Sequence, residues 1–159
     1  MPIYCKMKAE STGEVFSKCG SNQVAGRNAN TDIGDDFTLV KNYGYSTMSD
    51  GAEMSSHNAE VSTEFNLTLP AYSPSRAAIL NVVNGNDKIQ EFEIIETDGR
   101  IKTGVLSAEN GNIVSHSVSR SHDDNDHGVL HVSILFEKVT YDDKVTNTSG
   151  VIKTSSGGY

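Results

Sequence analysis

The densest collection of chemically capable side chains is the run His122-Asp123-Asp124-Asn125-Asp126-His127. Its imidazoles and carboxylates are the groups that ligate divalent cations. A calcium loop of the EF-hand type needs a glycine at its sixth position and a glutamate at its twelfth, and no register starting at Asp123 or Asp124 supplies both. Zinc is no better served, because a turn has no rigid element to fix two histidine rings. A metal centre here would draw on His122, Asp124, Asp126 and His127. The ordinary alternative is a solvated hairpin tip whose Asp and Asn side chains bond their own backbone. No cofactor is implied.

Nucleophilic chemistry has less to work with. Ser115, Ser117, Ser119 and Ser121 share a strand with His116, but neighbours on a strand point to opposite faces. There is no Gly-x-Ser-x-Gly elbow, no phosphate loop and no glycine-rich dinucleotide fingerprint. An enzyme with a spatially assembled His/Asp site has no motif behind it. His116 and Arg120 share a face with Val114 and Val118 in the alternating pattern. That is how a half-buried strand histidine looks, and the sharper alternative is a role at a lumen or an interface. Cys5 and Cys19 are too few for a disulfide scaffold, and a bridge between them is possible but not indicated.

These groups must be positioned by strands. Ile3, Cys5 and Met7 alternate with Tyr4, Lys6 and Lys8 in a first strand. Phe37 to Tyr45 reads as another, and Ser46 to Glu60 as a long polar loop of the kind that is functional or disordered. Val61, Thr63, Phe65, Leu67 and Leu69 point one way while Ser62, Glu64, Asn66 and Thr68 point the other, as in a half-solvated antiparallel sheet. A short helix follows. Ser73 is placed to cap it, Pro74 to fill its first position, Ala77 to Val83 to form its apolar body, and Gly85 to end it with a positive φ. Ile89 to Ile95 and Ile101 to Leu106 form a hairpin over Asp98-Gly99. Asn110-Gly111-Asn112 reads as a further turn, leading to a strand from Ile113 to Ser121. Val129 to Tyr141 is the longest strand, with Leu130, Val132, Ile134 and Phe136 toward the core. The result is mainly β: an antiparallel barrel or sandwich with one helix, forming a single domain over residues 1–159 with a flexible tail from about 147.

The chain of 159 residues is one domain long. Lys and Arg number 13 against 21 Asp and Glu, a net charge of −8. So acidic a surface argues against nucleic acid and against an anionic membrane as partners. No basic start with a long apolar run marks a signal peptide, and no stretch reaches the length of a membrane helix. Hydrophobic residues make up 36% and tryptophan is absent, so the core is thin or is completed by a neighbouring subunit.

The order of elements in the second half resembles the haemolysin-coregulated protein (Hcp) family, the inner-tube subunits of bacterial type VI secretion systems. Ser73-Pro74, the helix body Ala77 to Val83 and Gly85 match the family's helix unit. Ile113-Val114-Ser115-His116-Ser117-Val118-Ser119 is similar to its Val-Ser strand, and Ile134-Leu135-Phe136-Glu137-Lys138-Val139-Thr140-Tyr141 to its final long strand. Ala9-Glu10-Ser11 is similar to the Gly-Glu-Ser that follows its first strand. The likeness covers Val61 to Tyr141 and little of the first 60 residues. It implies a two-sheet antiparallel β-barrel with one short helix, assembled as a hexameric ring. Rings would stack into a tube inside a contractile sheath, capped by a spike protein and able to carry effectors. It also implies a subunit that assembles in the cytoplasm and leaves the cell by the machine it builds. Ser46 to Glu60 stands where the family has its ring-contacting loop, which makes Ser46, Met48, Asp50, Met54 and His57 stacking candidates, with His116 and Arg120 at lumen or interface. The rival readings are a phage-type tail-tube protein and a soluble β-sandwich binding a divalent ion or glycan through Ser46–Glu60 or the His122–His127 turn.

Overall fold

The structure is a computed structural model, and it describes residues 2–20, 34, 36–49, 61–98, 101–122 and 128–153. In chain order the elements are β1 (Ile3–Ala9), β2 (Gly13–Glu14), β3 (Thr38–Leu39), β4 (Asn42–Ser49), β5 (Val61–Pro70), α1 (Ser73–Asn84), β6 (Ile89–Asp98), β7 (Ile101–Ser119), β8 (Val129–Asp143) and β9 (Thr148–Lys153). The strands pair antiparallel in the order β2-β1-β6-β7-β8-β5-β4, with β3 on β1 and β9 on β8.

Two backbone bonds close this surface into a barrel. Between β3 and β4 the Val40 N–H donates to the Ile3 carbonyl at 2.9 Å, and the Lys41 N–H donates to the Thr68 carbonyl at 2.8 Å. The expected single strand from Phe37 to Tyr45 is therefore two, because the ribbon must leave β1 and reach β5. The two expected sheets are one hydrogen-bonded surface in which β7 and β8 serve both halves. The first half of β7 lies between β6 and β8, while residues 112–119 pair with β8 alone. β8 pairs first with β5 and later with β9.

Alternation places the core. Thr63, Phe65, Leu67 and Leu69 of β5 are buried inside, with Leu130, Val132, Ile134 and Phe136 of β8 beside them. Phe65, Phe92 and Phe136 form an aromatic centre with ring centroids 4.9 to 5.4 Å apart. β1 is covered on both sides: Cys5 and Met7 face the main core, while Tyr4 packs with Phe37 and Ile95 in a second cluster.

Several local expectations are corrected. Asn110-Gly111-Asn112 is no turn; β7 runs straight through it as the longest strand, 19 residues. Asn110 adopts φ 55° there, and the inward side passes from Ala108 to Gly111. A bulge between Ile113 and Ser115 then turns Val114 outward, 51% exposed, and brings His116 and Val118 opposite inward Val132 and Leu130. Tyr72, not Ser73, is the N-cap of α1, and it makes no side-chain cap. The hydroxyl of buried Ser75 instead donates to the Tyr72 carbonyl at 2.8 Å. Gly85 has φ −84°, and the positive φ falls on Asn86. The tail expected to be loose from about 147 forms β9 up to Lys153.

Candidate assembly surfaces

The helix carries more apolar side chains than its barrel side takes in, which holds only Ser75, Ile79 and Val82. Leu80 and Val83 are left 59% and 41% exposed. Beside them Arg76, Ile79 and Leu80 of α1 and His116 and Val118 of β7 line a cleft of about 330 Å³. Val118 is 40% exposed, so Leu80 of α1 and Val118 of β7 set an exposed apolar strip on the two sides of this cleft. An amphipathic helix in a complete core hides its apolar stripe, and one that shows it is built to be covered. His116 and Arg120 are not partners on one strand face: His116 is half-buried in the cleft with Arg76, and Arg120 lies exposed beyond the end of β7.

A second surface lies over β1, β6 and β7. The outward ladder sets Lys6 opposite Glu93 and Lys8 opposite Glu91, with Glu14 across from Lys8. Glu109 and Lys138 add an exposed ion pair of 3.8 Å, a weak contribution at such exposure. Burial first, and then the neighbouring Asp36, raise the pKa of the Glu14 carboxyl. Lys6, Lys8, Glu14, Glu91, Glu93 and Glu109 line a concave polar groove of about 850 Å³ with Gln90 and Ser107.

The stacking candidates divide. Ser46 and Met48 are on β4, not in a loop, since Ser46 pairs with Glu64 and Met48 with Ser62. Asp50, Met54 and His57 lie outside the described residues. So do Asp124, Asp126 and His127, while His122 is exposed beside them. Among the described residues no group of three or more His, Cys, Asp or Glu could hold a metal ion. Cys5 and Cys19 are both free and buried, and burial pushes the Cys19 thiol up to about 11. No described helix is long and apolar enough to cross a membrane.

Two polar clusters escaped the sequence reading. Asp87, just after α1, accepts from the backbone N–H groups of Ser11 and Thr12 at 3.0 and 2.7 Å and from the Thr12 hydroxyl at 2.8 Å. At the opposite mouth of the barrel, the Tyr141 hydroxyl donates to Glu96 at 3.3 Å. Tyr43 faces the same carboxylate; burial, then Glu96, push its hydroxyl up to about 12. Neither cluster has a local motif, because each joins residues distant in sequence.

The closed antiparallel barrel with one helix and a clasping β3–β4 ribbon is the fold of the Hcp proteins, as the resemblance implied. A crystal structure of an Hcp protein matches with a TM-score of 0.77 at 15% identity, covering 97% of this chain and 98% of that one. The secreted protein Hcp3 from Pseudomonas aeruginosa matches at 0.72 and 16%, covering 98% and 99% of the two chains. A type VI secretion system effector from Yersinia pestis matches at 0.64 and 12%, covering 95% and 98%. No family model matches the sequence, and no curated protein is significantly similar to it.

Proposed function

We propose that this chain is a structural, non-enzymatic subunit of a type VI secretion tube. The observation that carries the reading is the end-to-end match of the barrel to Hcp structures, nearly complete in both chains. In this reading copies close into a hexameric ring, and rings stack into a tube that a contractile sheath drives and a spike protein caps. Effectors ride inside, and the subunit leaves the cell with the tube.

The exposed strip of Leu80, Val83 and Val118 supports a heterologous contact, in which one subunit covers the apolar side of the next. His116 lies in the cleft lined by Leu80 and Val118, and exposed Arg120 follows two residues after Val118, so both stand as lumen or interface residues in this reading. Ser46 and Met48, at the far end of β4, with Asp50, Met54 and His57, supply contacts between rings. Purified protein at high concentration, viewed by negative-stain microscopy and native mass spectrometry, is expected to show six-fold rings. A strictly monomeric species across that range overturns the reading.

A further inference from the structure

The mouth of the barrel between β4, β8 and β9 holds an open cleft of about 280 Å³, walled by Tyr45, Tyr141, Val139 and Ile152. Tyr45 stacks on Phe65, centroids 5.3 Å apart and planes 30° apart, which covers one face of its ring. Tyr45 is still 49% exposed as a residue and lines the cleft, so solvent and small ligands reach it there. Tyr141 crosses the strand over Gly104, where a β-carbon would come within 2.4 Å of its hydroxyl, and that hydroxyl donates to Glu96.

A phenol that donates to a carboxylate gains electron density, which deepens the negative potential over its ring. Tyr43 shares that carboxylate from the same side of β4 as Tyr45. Among the described residues lining the cleft none is charged, so the nearest carboxylate is Glu96, reached through the Tyr141 hydroxyl. Aromatic faces backed by a carboxylate, in an apolar cleft too small for an extended peptide, match one chemistry. We propose that this cleft binds an organic ammonium group, held over the Tyr45 and Tyr141 rings, with Glu96 as the counter-charge behind Tyr141. The net charge of −8 favours arrival of such a cation. The group can belong to a small quaternary amine or to a lysine side chain, and the inference stands apart from ring assembly.

The chain has six tyrosines and no tryptophan, so its emission is all tyrosine, and the Tyr45 variants assign the part that comes from the cleft. Choline titrated into the full chain is expected to change that emission saturably. Its neutral isostere 3,3-dimethyl-1-butanol should bind about tenfold more weakly. Nα-acetyl-lysine methylamide distinguishes the sources: competition with choline assigns a lysine side chain, and choline alone assigns a small amine. Tyr45→Ala should abolish the response while Tyr45→Phe keeps most of it, with circular dichroism confirming that both fold. Glu96→Gln should weaken binding severalfold. Equal binding of the neutral isostere, indifference to Tyr45→Ala, or no saturation with either amine overturns the proposal.

Discussion

Gly111 of β7 lies directly opposite Phe136 of β8, and the phenyl ring occupies the space where a side chain at 111 would begin. A β-carbon there would lie 2.3 Å from the ring. The glycine is thus a packing necessity inside a continuous strand. Gly111→Ala is expected to destabilise the fold by about 1–3 kcal/mol, as overpacking does. Urea unfolding measures this, and Phe136→Leu in the same chain should return part of the loss. A neutral Gly111→Ala would refute the stacking.

Asp87 ties the turn after β1 to the end of α1. Its desolvation alone would raise its pKa, but donation from the Thr12 hydroxyl and from the backbone N–H groups of Ser11, Thr12 and Lys88 outweighs that and holds it below 3.8. A carboxyl lowered in the folded state stabilises above its unfolded value and loses that contribution as the pH falls. Melting curves below about pH 4 should show the wild type converging on Asp87→Asn, which lacks the effect. A constant gap between the two across that range would count against it.

The opposite sign applies to Tyr43. Its hydroxyl is raised from 10.0 to about 12 in the folded barrel, so the folded state keeps a proton that the unfolded chain has released. Its contribution is complete below pH 10 and is lost as the pH rises toward 12. Tyr43→Phe should show a shallower alkaline decline in chemical denaturation than the wild type.

Leu80→Asp and Val118→Asp place charge on the exposed apolar strip. Each should lower the monomer's stability by no more than about 1 kcal/mol, the cost of Asp in a helix or strand, since neither side chain fills the core. Each should remove ring species from native mass spectra. Intact rings in both variants would move the subunit contact elsewhere.

Copies carrying −8 each repel one another. Raising salt from about 50 to about 500 mM shortens the screening length severalfold and should shift light scattering toward rings. Dissociation on adding salt would mean that ion pairs across the contact dominate instead.

The strand pattern was legible where alternation is strict, as in Thr63 to Leu69, whose burial follows the sequence residue by residue. The Ser-Pro start and the Asn-Gly end located α1 to within a residue. Reading failed where long-range packing overrides local chemistry. Asn110-Gly111-Asn112 has turn residues, but Phe136 claims the glycine from another strand. The pattern at Val114 broke because a bulge adds one residue, which no periodicity shows in advance. The apolar residues of α1 were visible as composition, yet only the fold revealed that Leu80 and Val83 stay exposed among the described residues. The tyrosine–glutamate mouth unites β4, β6 and β8, so no spacing could have announced it.

The β3–β4 ribbon is zipped to β1 at one end and to β5 at the other. One continuous ribbon thus ties the two walls together, so a displacement of either is passed to the other. The molecule's amides should exchange with solvent as one cooperative block, and a pulling force on either wall is shared by both.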